Sequence, residues 1–142
     1  MPVDKQTLNQ YRALLLEIPK LKRDISKLEK RLEEVPTVAG KVMKSSNEFP
    51  YVLGHVKVDM AEPKLATEIK TQIRYKELRL DRAERQRTEI ESFIAGIENS
   101  TDRQIFEMVY INEKKLSQAT VGEIVGYTQG RISQIIGSYL KD

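Results

Sequence analysis

The sequence predicts a mainly α chain. A long antiparallel helical hairpin, coiled-coil-like and carrying a short β-hairpin or loop insert, should be followed by three short helices. Three observations carry this. Charged residues make up 32% of the 142 positions and aromatics only 6%, a balance of long solvated helices rather than one large core. Two long stretches place apolar residues in alternating steps of three and four, the seam pattern of helices packed side by side. The last forty residues change character: apolar runs shorten and are punctuated by Ser, Thr and Gly.

The first helix is predicted over Asp4 to Glu34. Its seam reads Leu8, Tyr11, Leu15 and Ile18, then resumes at Leu21, Ile25, Leu28, Leu32 and Val35. The phase slips between Ile18 and Leu21, where Pro19 lies. Proline lacks an N–H and crowds the previous turn, so a kink or break is expected there. An insert of about residues 36–62 follows. Leu53-Gly54 suits a turn and Val56-Lys57-Val58 alternates, so a small docked β-hairpin or an ordered loop is predicted. His55 has no companion ligand nearby and reads as a structural or solvated residue.

The second long helix is predicted from Lys64 to Glu98, with Pro63 in its first turn. Ile69, Ile73, Lys76, Leu80, Ala83, Arg87, Ile90, Ile94 and Ile97 keep an unbroken four-three rhythm. Lys76 and Arg87 are cations in that seam, able to fix register or to snorkel to water. The other charges from Arg74 to Arg87 alternate with Glu77, Asp81 and Glu84, as on a solvated, salt-bridged face. Two helices alone bury little apolar surface, so a two-fold homodimer is expected.

Glu98-Asn99-Ser100 ends this helix, and Thr101 to Gln104 fits a capping box. Ile105, Phe106 and Val109 begin a third helix that ends near Asn112. Residues 116–135, LSQATVGEIVGYTQGRISQI, then read as two short helices joined by a tight turn. Ser117 can cap the first, whose apolar face is Val121, Ile124 and Val125. Gly126 stands where the chain must leave that helix, and Gly122 leaves room for a steep helix crossing. Thr128 can cap the second, in which Ile132, Ile135, Ile136, Tyr139 and Leu140 form a buried stripe. Lys141 shares the opposite face with polar side chains. This is a helix-turn-helix pattern, and Thr128, Gln129, Gly130, Arg131, Ser133, Gln134 and Ser138 are its candidate DNA-binding residues. The division expected is residues 1–99 for the hairpin and 100–142 for the helix-turn-helix domain.

The segment resembles the C-terminal helix-turn-helix of bacterial sigma factors, which reads the upstream promoter element. The resemblance implies that Gln129, Gly130, Arg131, Ser133 and Gln134 face DNA. Gly130 and Ser133 stand where sigma factors usually carry charge. A second resemblance spans nearly the whole chain. A coiled-coil helix, Ser45-Ser46 with Phe49-Pro50-Tyr51, a second long helix and the phrase EIESFIAGIENSTDRQIFEMVYI are similar to small sigma-like regulators of phages and prophages of low-GC Gram-positive bacteria. Lys44 replaces the glycine often found before the paired serines. The resemblance implies a regulator of late phage genes acting near a promoter. Double-stranded DNA and host RNA polymerase are the partners it implies.

Charge qualifies this reading. The chain carries a net +3, but five Lys/Arg balance five Asp/Glu from Thr101 onward. A neutral helix-turn-helix lacks the phosphate attraction that supplies much of DNA affinity. Dimerisation or a recruiting partner would compensate. Two other classes share the pattern: a small terminase subunit, which assembles as a ring, and a coiled-coil adaptor without DNA binding. An enzyme is not expected, because the single histidine lacks a nucleophile or acid partner and no Gly-Lys-Ser/Thr phosphate loop occurs. No cofactor is expected. With no cysteine, no apolar run of membrane length and no signal-peptide layout, the expectation is a cytoplasmic protein without a membrane partner.

Overall fold

The computed structural model describes residues 3–36 and 51–140, with side chains described at 3–36 and 64–140. The fold is mainly α. A long helical pair leads into a C-terminal group of short helices, and no strand occurs among the described residues. In chain order the helices are α1 (Lys5–Asn9), α2 (Tyr11–Glu34), α3 (Tyr51–Ala95), α4 (Ser100–Phe106), α5 (Gln118–Val125) and α6 (Gln129–Tyr139). A turn of π-helix, Glu107–Ile111, extends α4. Among the described residues no helix is long and apolar enough to cross a membrane.

Asp4 caps α1 by accepting from the Thr7 N–H at 2.7 Å. A hydrogen bond from the Thr7 side chain, with the backbone bond adding, holds its carboxyl below the ordinary range. The interruption before α2 falls at Gln10 and not at Pro19, which lies inside α2. Pro19 is exposed, so the Leu15 carbonyl deprived of its N–H partner faces the wet side of the helix. The seam also differs at one position: Leu14 is 6% exposed and Leu15 is 39% exposed. With Leu14 in place, Tyr11, Leu14, Ile18, Leu21, Ile25 and Leu28 run in unbroken three-four steps through the proline, and all six are buried.

α3 starts earlier than expected. Its backbone is helical from Tyr51, so Leu53-Gly54 and Val56-Lys57-Val58 form helix rather than a hairpin. Three alternating residues are too few to hold a strand with nothing to pair with. The rest of the expected insert, including Ser45-Ser46 and Phe49-Pro50, lies outside the described residues, as does Lys141. Along the α3 seam Ile69, Ala83, Ile90 and Ile94 are buried, Ile73 and Leu80 are only half-buried, and Ile97 just beyond the helix is buried.

Contacts divide the chain into two compact units, Met1–Pro19 with Asp81–Asp142, and Lys20–Leu80. Each contains a stretch of α2 and a stretch of α3. In the first, the Tyr11 hydroxyl donates to Glu91 Oε2 at 2.6 Å; in the second, Lys76 Nζ meets Asp24 Oδ2 at 3.2 Å. Lys76 therefore uses its place at the seam for an ion pair to the opposite helix. Arg87 Nε lies 4.0 Å from Glu91, beyond hydrogen-bond reach.

Candidate nucleic-acid interface

The end of α3 and the short helices share one aromatic centre. Phe106 is fully buried and packs edge-on against Phe93 of α3 at 5.8 Å and Tyr139 of α6 at 5.6 Å. Tyr110, from the π turn, stacks tilted at 5.9 Å. Such ring pairs add to the area they bury. Around them Ile105, Val121, Ile132 and Ile136 are all at most 2% exposed. The Tyr139 hydroxyl donates to Asp102 Oδ2 at 2.5 Å, tying the last turn of α6 to α4; this bond, with burial adding, raises the Tyr139 pKa.

The cap of α4 lies two residues before the expected capping box. Asn99 accepts from the Asp102 N–H at 3.0 Å, and Gln104 Nε2 reaches Ser100 Oγ at 3.2 Å. Arg103 donates to the Ile97 carbonyl at 2.8 Å, closing the bend after α3. At the other end Asn112 N–H reaches back five residues to the Glu107 carbonyl at 2.8 Å, the π-type bond. The carbonyls of Val109 and Asn112 are left over, and Arg12 of α2 takes both. Its Nη1 donates to Val109 at 3.1 Å, while Nε and Nη2 donate to Asn112 at 3.1 and 2.8 Å. A guanidinium fork at a helix C-terminus satisfies orphan acceptors and complements the helix dipole.

The turn between α5 and α6 has the predicted construction. Ser117 Oγ accepts from Thr120 N–H at 3.2 Å and Thr128 Oγ1 from Arg131 N–H at 3.1 Å. Gly126 is left-handed, with φ +83°. Gly122 has a different reason from the one expected. A Cβ there would lie 2.4 Å from the Tyr127 carbonyl oxygen, so the glycine makes room for the turn's own backbone rather than for a helix crossing. The Tyr127 N–H closes on the Gly122 carbonyl at 2.7 Å. Ile124, expected on the buried face of α5, is instead 60% exposed; Val121 is fully buried at 0%, and Val125 is half-buried.

α6 turns Ile132, Ile135 and Ile136 inward and leaves Gln129, Gly130, Arg131, Ser133, Gln134 and Ser138 exposed, with Thr128 exposed at its N-cap. The seven candidate residues thus share one accessible helix and its cap, but not one role. Thr128 is occupied as the cap. Ser138 donates its hydroxyl to the Ile135 carbonyl at 2.7 Å. Gly130 meets nothing nearer than Thr128 Oγ1 at 4.0 Å, so nothing inside the chain demands its bareness. The Arg131 guanidinium lies 5.9 Å from the Tyr127 ring, within cation–π range.

Residues 99–141 match the family model of sigma-70 region 4. The segment is therefore a sigma-like helix-turn-helix, and the match covers α4, the π turn, α5 and α6. Comparison with curated proteins and with solved structures gives no match. Two features escaped the sequence. Arg12 sits among ordinary polar helix positions with no local signal of a partner about a hundred residues away. Tyr127, 39% exposed beside Arg131, stands in the turn without a sequence signal of its own.

Proposed function

We propose that the chain is a sequence-specific DNA-binding transcription regulator, a phage late-gene activator that works near a promoter with RNA polymerase. The supporting observation is the sigma-like helix-turn-helix of residues 99–141 with an open, polar outer face on its second helix. Arg131, Gln134 and Gln129 are the side chains on that face best suited to base edges; Thr128 and Ser138, already bonded to backbone, are better suited to phosphates. Gly130 lets the DNA backbone approach closely, and Arg131 is held over Tyr127 in readiness for guanine or phosphate. The division of labour follows, with residues 100–142 reading DNA and the helical pair assembling the protein.

The assembly we propose is a homodimer. Leu16 of α2 is 77% exposed, and Tyr75 and Leu78 of α3 are 65% and 52% exposed, apolar surface that self-association would cover. Two copies would double a single weak contact and read paired half-sites. Native mass measurement should give twice the chain mass; a monomer or a larger ring would refute the dimer.

The test of function is selection of bound fragments from a DNA pool that includes the flanks of the native gene. A single enriched site, placed beside a promoter and giving more transcript when protein is added to polymerase, is the expected result. A pool that returns unenriched contradicts the proposal.

A further inference from the structure

The unit that holds the sigma-like helix-turn-helix is the wrong sign for a DNA reader. Over Met1–Pro19 and Asp81–Asp142 the sequence has ten Lys/Arg against twelve Asp/Glu. Over Lys20–Leu80 it has fourteen against nine, so the excess positive charge of the chain belongs to the other unit. Phosphate attraction, the largest sequence-independent part of DNA affinity, is therefore missing where the bases would be read.

Within Lys20–Leu80 one helix face concentrates cations. Lys20, Arg23, Lys27, Lys30 and Arg31 are all exposed. At 100° per residue they fall within about a third of the α2 circumference, opposite the buried Leu21, Ile25 and Leu28. The stripe is about 16 Å long, eleven steps of 1.5 Å. None of the five makes an ion pair among the described residues. Asp24, the acid nearest the middle of the stripe, is engaged by Lys76 on α3 at 3.2 Å. Glu34 enters the arc only at its last turn.

This arrangement works against the helix that carries it. Lys20 with Arg23, Arg23 with Lys27, Lys27 with Lys30 and Lys27 with Arg31 stand three or four residues apart, spacings at which like charges repel. The helix dipole favours cations only in the final turn, which accounts for Arg31 and not for Lys20, Arg23 or Lys27. A solvated face would interleave the signs, as the outer face of α3 does where Arg85 meets Asp81 at 3.1 Å. An unpaired row of one sign is suited to a polyanion.

We propose that the outer face of α2, from Lys20 to Arg31, is a second DNA contact that grips the phosphate backbone without reading sequence. This rests on the proposed DNA-binding function and supplies the affinity that the helix-turn-helix unit lacks. Duplex DNA presents about one charge per 1.7 Å of axis, so a row of this length faces enough phosphate to engage most of its cations.

The test is the salt dependence of full-length protein binding to a random-sequence duplex of about thirty base pairs, for the wild type and for K20Q/R23Q/K27Q/K30Q/R31Q. Each cation seated on a phosphate adds about 0.9 to the slope of log K against log salt. The variant should lose about two to four units of slope and bind at least tenfold more weakly at about 100 mM salt. Its preference for a selected site over random DNA should persist, and its Tm should not fall, because repulsion has been removed. A variant with the charges swapped in kind (K20R/R23K/K27R/K30R/R31K) should keep the wild-type slope. An unchanged slope in the neutral variant overturns the proposal, also where that variant loses binding to RNA polymerase, because the stripe would then serve an acidic protein. Failure of the wild type to bind any duplex at low salt would instead defeat the DNA-binding function itself.

Discussion

At the scale of single residues, the three glycines spaced four apart differ in what they do. Gly122 abuts backbone, Gly126 supplies a left-handed turn, and Gly130 answers to nothing in the fold. Gly122→Ala should therefore lower stability by about 1–3 kcal/mol, the usual range for forced overpacking. Gly130→Ala should raise it by up to about 1 kcal/mol while weakening DNA binding. Thermal melts beside DNA titrations check both; matching signs for Gly130→Ala in the two assays would remove its proposed role. Tyr11 gives a pH prediction. Burial, with the hydrogen bond to Glu91 adding, pushes its pKa up to about 12 from the ordinary 10. The fold favours the neutral phenol, so that stabilisation is complete below about pH 10 and is lost as pH climbs through 12. Stability measured from pH 9 to 12 should fall with rising pH in the wild type and fall less in Tyr11→Phe. One residue also explains a misreading. A seam drawn through Leu15 instead of Leu14 has a phase slip at Pro19 that the fold does not have. Two adjacent leucines satisfy the same periodicity, and only burial separates them.

At the scale of elements, local chemistry was legible and distant partnership was not. Ser117, Thr128 and Gly126 act within four residues of themselves, and each does what its type suggests. Arg12 acts across ninety-seven residues or more and leaves no local trace. Its removal tests whether α2 braces the helix-turn-helix. Arg12→Ala should cost about 1.5–3 kcal/mol, the range for hydrogen bonds from a charged donor, and should speed amide exchange at the C-terminal end of the π turn. Arg12→Lys should recover only part, because an ammonium cannot reproduce the fork. Equal exchange in wild type and Arg12→Ala would show that the clamp adds nothing. Pro19 offers the opposite sign: Pro19→Ala on the exposed face of α2 restores a helix N–H and should raise Tm. A lower Tm would mean that the proline is needed by the fold. The start of α3 differs from the expectation because a brief alternation at residues 56–58 and a proline at 63 are local signals, while the helix runs through both from Tyr51.

At the scale of the whole molecule, charge and recognition lie on different parts of the chain. The sigma-like segment was legible because its turn, caps and apolar stripe all fall within twenty-four residues. Which polar residues touch DNA is a different question, since every outward residue of α6 satisfies the same pattern, and the fold separates them only by what else they hold. Arg131 is the sharpest case: exposed, without an ion pair among the described residues, and placed against Tyr127. The most direct measurement is the affinity of the wild type and of Arg131→Ala for the selected site and for a scrambled duplex of equal length, at about physiological salt. The account predicts that the ratio of the two affinities falls by about five- to 150-fold in the variant, matching about 1–3 kcal/mol of base discrimination, while the melt is unchanged. An unaltered ratio in a folded Arg131→Ala protein would show that the exposed face of α6 does not read DNA through this residue and would contradict the central claim.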